Sequence, residues 1–181
     1  PFFGISSKSV LTSRTNIHSK CSFNDIVSHI KGMPPSYYDN IGRYTREKVK
    51  LNNQPLFEGV KDEYDKDIKK LKTQLPYFTL SGYQERGRSK DKISYNGCVQ
   101  IDIDIKSANG EELAHKVKEC FKNHSYIALC GISPSKHGVK ALVFTNNSLK
   151  DKHRAVTNFV YSLLLQDCSL LNIISKEENI P

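Results

Sequence analysis

The sequence predicts an α+β fold in a single domain over residues 1–181, with a mainly helical segment over 1–75 followed by a β-β-α-β-β-α core over 76–166. Three observations predict it. Apolar residues recur at helical spacing before Pro76. After it the pattern changes to short β-branched runs separated by two further amphipathic stretches. A chain of 181 residues with 38% hydrophobic content is long enough for one real core and too short for two ordinary ones.

The elements follow in order. Residues 1–21 are rich in Ser, Thr and Lys, and the short apolar start FFGI predicts an edge strand. Ser22 reads as an N-cap, with Phe23, Ile26, Val27 and Ile30 on one helical face and Gly32 as the stop. A weaker helical pattern runs through Tyr37, Ile41 and Tyr44 until Asn52-Asn53-Gln54-Pro55 breaks it. Tyr64, Ile68, Leu71 and Leu75 recur at i, i+4, i+7 and i+11, a helix that ends before Pro76. YFTL is a short strand, SGYQERGRSKDK a polar basic loop and VQIDIDI a second strand. Residues 111–123 form a helix packing through Leu113, Val117, Cys120 and Phe121. SYIALCGI and VKALVFT, joined by SPSKHG, read as a hairpin. The last helix, about 151–166, turns Val156, Phe159, Val160, Leu163 and Leu164 inward.

Composition narrows the class. Lys and Arg outnumber the acids 27 to 19, giving a formal charge of +8, which suits a polyanionic partner such as nucleic acid or nucleotide. The five cysteines show no CxxC pair and no ligand-like spacing with the histidines, so they read as reduced, mostly buried thiols. No apolar run is long enough to span a bilayer and no signal peptide precedes the domain, so the expectation is a soluble, cytoplasmic protein without a membrane partner. Beginning at Pro1 without a methionine, the chain reads as a fragment of something longer.

The chemistry concentrates in Val99-Gln-Ile-Asp-Ile-Asp-Ile-Lys106. On a strand, Val99, Ile101, Ile103 and Ile105 face one way and Gln100, Asp102, Asp104 and Lys106 the other, so the two carboxylates are neighbours on one face. At about 5 Å and an effective dielectric near 20 they would repel by roughly 3 kcal/mol. They therefore call for open water, basic partners or a cation. Downstream, Ser133-Pro-Ser-Lys-His-Gly138 gathers two hydroxyls, a lysine and an imidazole, with Lys140 just beyond, groups that can donate to phosphate oxygens. Either motif alone fits a bland role, a solvated strand face or an ordinary turn. Together they are the two halves of a nucleotidyl-transfer site, carboxylates for a divalent metal and donors for a triphosphate.

The stretch LKTQLPYFTLSGYQERGR, then VQIDIDI, YIALCGIS, the turn SKHG and VKALVF, resembles the N-terminal primase-polymerase-like domain of virulence-associated E proteins, in the archaeo-eukaryotic primase superfamily. The resemblance spans roughly residues 22–165 and is most specific at LPYFTLSGYQERG, at Asp102 and Asp104, and at Ser135 and His137. It implies a primase-like, RRM-like core sheet with flanking helices. It also implies that Asp102 and Asp104 bind catalytic Mg²⁺ or Mn²⁺, and that Ser135 and His137 contact the phosphates of an incoming nucleoside triphosphate. Arg86, Arg88 and Lys140 become candidates for phosphate or template contacts, and His137 a phosphate ligand rather than a base. The implied reaction is attack of a 3′-hydroxyl on the α-phosphate with loss of pyrophosphate, in replication of DNA or a mobile element. Its partners would be single-stranded or primer-template nucleic acid, with a helicase or other domain following in the chain.

One departure stands out. Primases of that superfamily use a third acid on a later strand, and here Asp167, at the end of the last helix, is the one late candidate. Rival readings are a metal-dependent nuclease, for which Glu111 and Glu112 are the nearest further acids, and a catalytically incomplete module that binds nucleotide or nucleic acid. A nucleotide-sugar transferase also uses DxD with manganese, but the SxH turn and the basic surface argue against it.

Overall fold

The computed structural model describes residues 3–6, 19–32, 36–51, 58–73, 77–83, 93–147 and 149–167. It is a mixed α+β architecture. The N-terminal part holds β1 (Phe3–Ser6), β2 (Ser19–Cys21), α1 (Phe23–Gly32), α2 (Ser36–Leu51) and α3 (Glu58–Lys72). Then come β3 (Tyr77–Thr79), β4 (Gly82–Tyr83), β5 (Ser94–Tyr95), β6 (Cys98–Asp104), α4 (Gly110–Lys122), β7 (Ile127–Ile132), β8 (Gly138–Phe144) and α5 (Lys150–Asp167).

The principal sheet is antiparallel, in the order β6-β8-β7, so β6 and β7 run parallel on either side of β8 and α4 crosses between them. Alternation does what the sequence predicts. Val99, Ile101, Ile103 and Ile105 of the first strand join Val139, Ala141 and Val143 of β8 in one cluster with Ala114, Val117 and Phe121 of α4 and Val160, Tyr161 and Leu164 of α5. Phe121 is fully buried there, and truncating such a side chain to alanine typically costs about 3–5 kcal/mol. Both helices thus cover one face.

Among the described residues the opposite face is packed over at one end. Cys98 and Leu142 are buried against Cys21 and Ile26, with Phe23, Phe78, Leu80 and Leu129 packed around them. The helix that supplies Ile26 starts as expected: the Asp25 amide donates to Ser22 Oγ at 3.2 Å, while the Ser22 amide donates to Asp25 Oδ2 at 2.7 Å, a reciprocal cap. Those bonds hold the Asp25 carboxyl below its ordinary range.

Several expectations need correction. Phe159 is 62% exposed rather than inward. Successive helical residues turn by about 100°, and burying Val160, Tyr161 and Leu164 centres the inward arc near Leu164, which carries Phe159 to the solvent side. Ile30 is likewise exposed, at the far end of a helix whose one fully buried side chain is Ile26. FFGI gives no edge strand: β1 lies centrally in a β2-β1-β3 sheet, because Ser19–Cys21, polar and three residues long, pairs on its other side. The YFTL strand joins that sheet rather than the principal one, and β4 pairs with β5 in a two-stranded ladder. The third helix stops at Lys72, and Leu75 lies outside the described residues.

Candidate functional site

Beyond Leu142 the uncovered half of the sheet face begins. Register places Asp102 opposite Lys140 and Asp104 opposite Gly138, so both carboxylates stand on the face away from α4 and α5. Lys140 Nζ donates to Asp102 Oδ2 in an ion pair whose side chains are 42% and 38% exposed. At that exposure solvent screening limits its contribution to stability to about 1 kcal/mol or less. Asp102 Oδ1 is buried and accepts no hydrogen bond among the described residues. A carboxylate oxygen so placed is costly without a donor or a cation.

The turn after β7 comes near the second carboxylate, which stays exposed. The Ser133 amide donates to the Gly138 carbonyl at 2.8 Å and the Lys136 amide to the Ser133 carbonyl at 2.9 Å. Lys136 takes φ 66°, a left-handed conformation rare outside glycine. Ser133 is buried, and its hydroxyl lies 2.8 Å from that of Ser135. Gly138 cannot be enlarged without movement. A Cβ there would come within 2.4 Å of the Ile103 carbonyl oxygen, and 3.2 Å from both Asp104 Oδ1 and Ser133 Oγ. The glycine therefore lets the carboxylate and the serine turn approach one another.

His137 sits differently from Ser135. Its carbonyl accepts the Ile105 amide at 2.8 Å, and its ring is buried at the start of α4, where a Cβ on Gly110 would come within 2.6 Å of Nδ1. The second helix braces the turn from outside: Lys136 Nζ lies 3.8 Å from Asp39 Oδ1, with its stem over Gly42, and Arg46 donates to Glu111 at 2.9 Å. Glu111 is thereby engaged at the surface with a residue of α2.

The structure thus brings Asp102, Asp104, Lys140 and the Ser133–Ser135 hydroxyl pair together on one half-face, and sets the His137 ring toward α4. Arg86 and Arg88 lie outside the described residues, and Asp167 is the last residue of α5. Ser133, one of the two turn hydroxyls read from sequence, comes near Asp104 across Gly138. Tyr161 was missed from sequence. Tyr161 accepts the Asp102 amide at 2.8 Å and donates to the Asp102 carbonyl at 3.1 Å, yet in sequence it reads as one more helical aromatic. Burial pushes the Tyr161 phenol up from its ordinary value, with a further push from Asp102 and Asp104 that the hydrogen bond to Asp102 opposes.

The residues fit a hard divalent cation in one respect. Two carboxylates share a face, and one of their oxygens is buried without a donor. Among the described residues no group of three His, Cys, Asp or Glu side chains gathers to hold a metal. A cation bound here would take its other ligands from water or phosphate, as magnesium commonly does. No helix among the described residues is long and apolar enough to cross a membrane.

In comparison with known proteins, residues 70–169, just over half of the chain, match the family model described as BT4734-like, N-terminal domain. No match was found among curated proteins or among solved structures.

Proposed function

This chain belongs to the BT4734-like, N-terminal domain family, and from the site that the matched stretch encloses we propose that it is a nucleotidyltransferase domain of primase-polymerase type. The observation that carries this reading is the register of β6 on β8, which sets a pair of carboxylates beside a lysine and a serine-lined turn on the uncovered half of one sheet face. Supporting it are the buried Asp102 oxygen, the resemblance of the motifs to virulence-associated E primase-polymerase domains and the +8 charge.

In this reading Asp102 and Asp104 hold Mg²⁺ or Mn²⁺, which when bound supplies the positive charge that draws in a triphosphate and polarises its phosphorus. Lys140 and the hydroxyls of Ser135 and Ser133 donate to phosphate oxygens. His137, whose ring is buried against Gly110 on the α4 side, takes no phosphate in this reading and supports the turn instead. Arg86 and Arg88 serve phosphate or template. The domain acts on single-stranded or primer-template nucleic acid in replication of DNA or a mobile element, beside a helicase or other domain of a longer chain, in the cytoplasm.

A second reading, a nucleotide- or nucleic-acid-binding module without efficient chemistry, is favoured by the lack of a third metal-ligating side chain near the pair among the described residues. Calorimetry with a nucleoside triphosphate, with and without Mn²⁺, tests the proposal. Binding that needs the metal and disappears in Asp102→Asn, with the melting temperature held within about 2 °C, is the expected result. Metal-independent binding that survives Asp102→Asn would sink the metal site and favour the module. Primer extension by the binding-competent protein then separates the two readings.

A further inference from the structure

One strand carries the acids, and among the described residues it lies at the edge of its sheet, where outward backbone groups need partners that a neighbouring strand would otherwise supply. The odd-numbered positions turn their groups toward the next strand, as the Ile105 amide to His137 and the Thr145 amide to Gly97 show at either end of the ladder. The even-numbered positions face outward, and side chains meet them. The Cys98 amide donates to Asn96 Oδ1 at 3.1 Å and the Gln100 amide to Ser81 Oγ at 3.2 Å, one bond each. At Asp102 the arrangement changes. The Tyr161 hydroxyl takes the amide at 2.8 Å and gives its proton to the carbonyl at 3.1 Å, so one side chain holds both polar groups of a single residue.

We infer that Tyr161 is a positioning residue for the metal site, fixing the backbone of Asp102 so that its carboxylate is held ready for a cation; the inference rests on the reading proposed above. Two bonds flanking one Cα restrain φ and ψ together, and with them the direction of the Cα–Cβ bond. A site held to within about half an ångström binds better than one left to fluctuate. The phenol is well suited to the task. It is 6% exposed and anchored among Val160, Leu164 and the sheet. Only the neutral hydroxyl can accept from the amide and donate to the carbonyl at once. The covering helix is thereby tied to the carboxylate on the other face through the strand edge.

The test compares two caps on one strand. Mn²⁺ affinity, measured by water-proton relaxation with and without a nucleoside triphosphate, is determined for the whole chain and for Tyr161→Phe, Ser81→Ala and Asp102→Asn. Tyr161→Phe should weaken Mn²⁺ binding five- to twenty-fold while circular dichroism stays unchanged, and Ser81→Ala, which removes the neighbouring cap at Gln100, should stay within two-fold. Equal affinities in Tyr161→Phe and the unaltered chain would overturn the positioning role and leave the metal site standing. So would equal weakening in both cap variants, since Tyr161 would then be edge protection alone. Absence of Mn²⁺ binding in the unaltered chain would remove the metal site and this inference together. Should Tyr161→Phe not fold, Mg²⁺ titration of the unaltered chain by NMR decides: the Tyr161 ring resonances should shift in step with the Asp102 amide, and a still ring beside a shifting amide overturns the inference.

Discussion

Two halves of one sheet face, built from the same two strands, have opposite fates. Toward one end, Cys98 and Leu142 are sealed under Cys21, Ile26 and their neighbours, and Phe23 meets Phe144 edge to face at 5.8 Å between ring centres. Four residues along, the same face carries Asp102, Asp104 and Lys140, partly open to water. Backbone geometry is the same in both halves. What changes is the chemistry of alternate positions, from Cys98 to Asp102 and Asp104 on β6 and from Leu142 to Lys140 and Gly138 on β8. The N-terminal elements cover the apolar half, and the polar half stays partly open to water. One half should therefore answer to stability measurements and the other to binding.

The largest effect tests the sealed half. Leu142 is fully buried, so Leu142→Ala should destabilise the protein by about 2–5 kcal/mol in urea unfolding. Mn²⁺ and nucleotide affinity, measured well below the denaturation midpoint, should stay unchanged. A loss of affinity to match the loss of stability would show that the two halves are not separable.

Cys98 gives the next effect through pH. Burial pushes its thiol from the ordinary 9.0 up to about 11, so the folded protein holds the proton over a range in which the unfolded chain releases it. The resulting stabilisation is fully present below pH 9 and is lost as pH rises through about 9 to 11, on the order of 3 kcal/mol in all. Burial raises Cys21 and Cys130 as well, with the same sign. Cys98→Ala should flatten part of the alkaline decline, read from denaturation midpoints between pH 8 and 11. An unchanged slope would mean that the sealed half admits water.

How much of this was legible follows from which signals are local. Strand alternation is local, so Val99 to Ile105 against Asp102 and Asp104 read correctly, and so did the Ser22 cap and the hairpin around the SPSKHG turn. Helix orientation is less so. In Val156 to Leu164 the apolar residues cover a wide arc, and only packing on the sheet selects Tyr161 over Phe159 for the interior. Pairing between distant segments leaves almost no mark: Ser19–Cys21 is polar and short, and nothing in those three residues announces a partner in Phe3–Ser6. The same holds for the site. Two acids and a turn are readable as motifs, but the Tyr161 bonds to Asp102 span 59 positions and the Lys140 pair 38, and their registers exist only in the folded sheet.

The smallest effect on stability is also the most discriminating for the open half. In the proposed reading Lys140 and a cation would compete for Asp102, since Nζ already bonds Oδ2 and both are positive. In Lys140→Met, removal of the half-exposed pair should cost at most about 1 kcal/mol of stability. Cation binding should move the other way: Mn²⁺ alone should bind a few-fold tighter, because Asp102 is released and a repelling charge is gone. Triphosphate binding in the presence of Mn²⁺ should weaken, because the phosphate donor is gone as well. Opposite signs for metal and triphosphate follow from a lysine standing between the two ligands. A lysine that merely decorates a solvated strand would shift neither, and calorimetry with Mn²⁺ alone and with the triphosphate added reads both numbers on one variant.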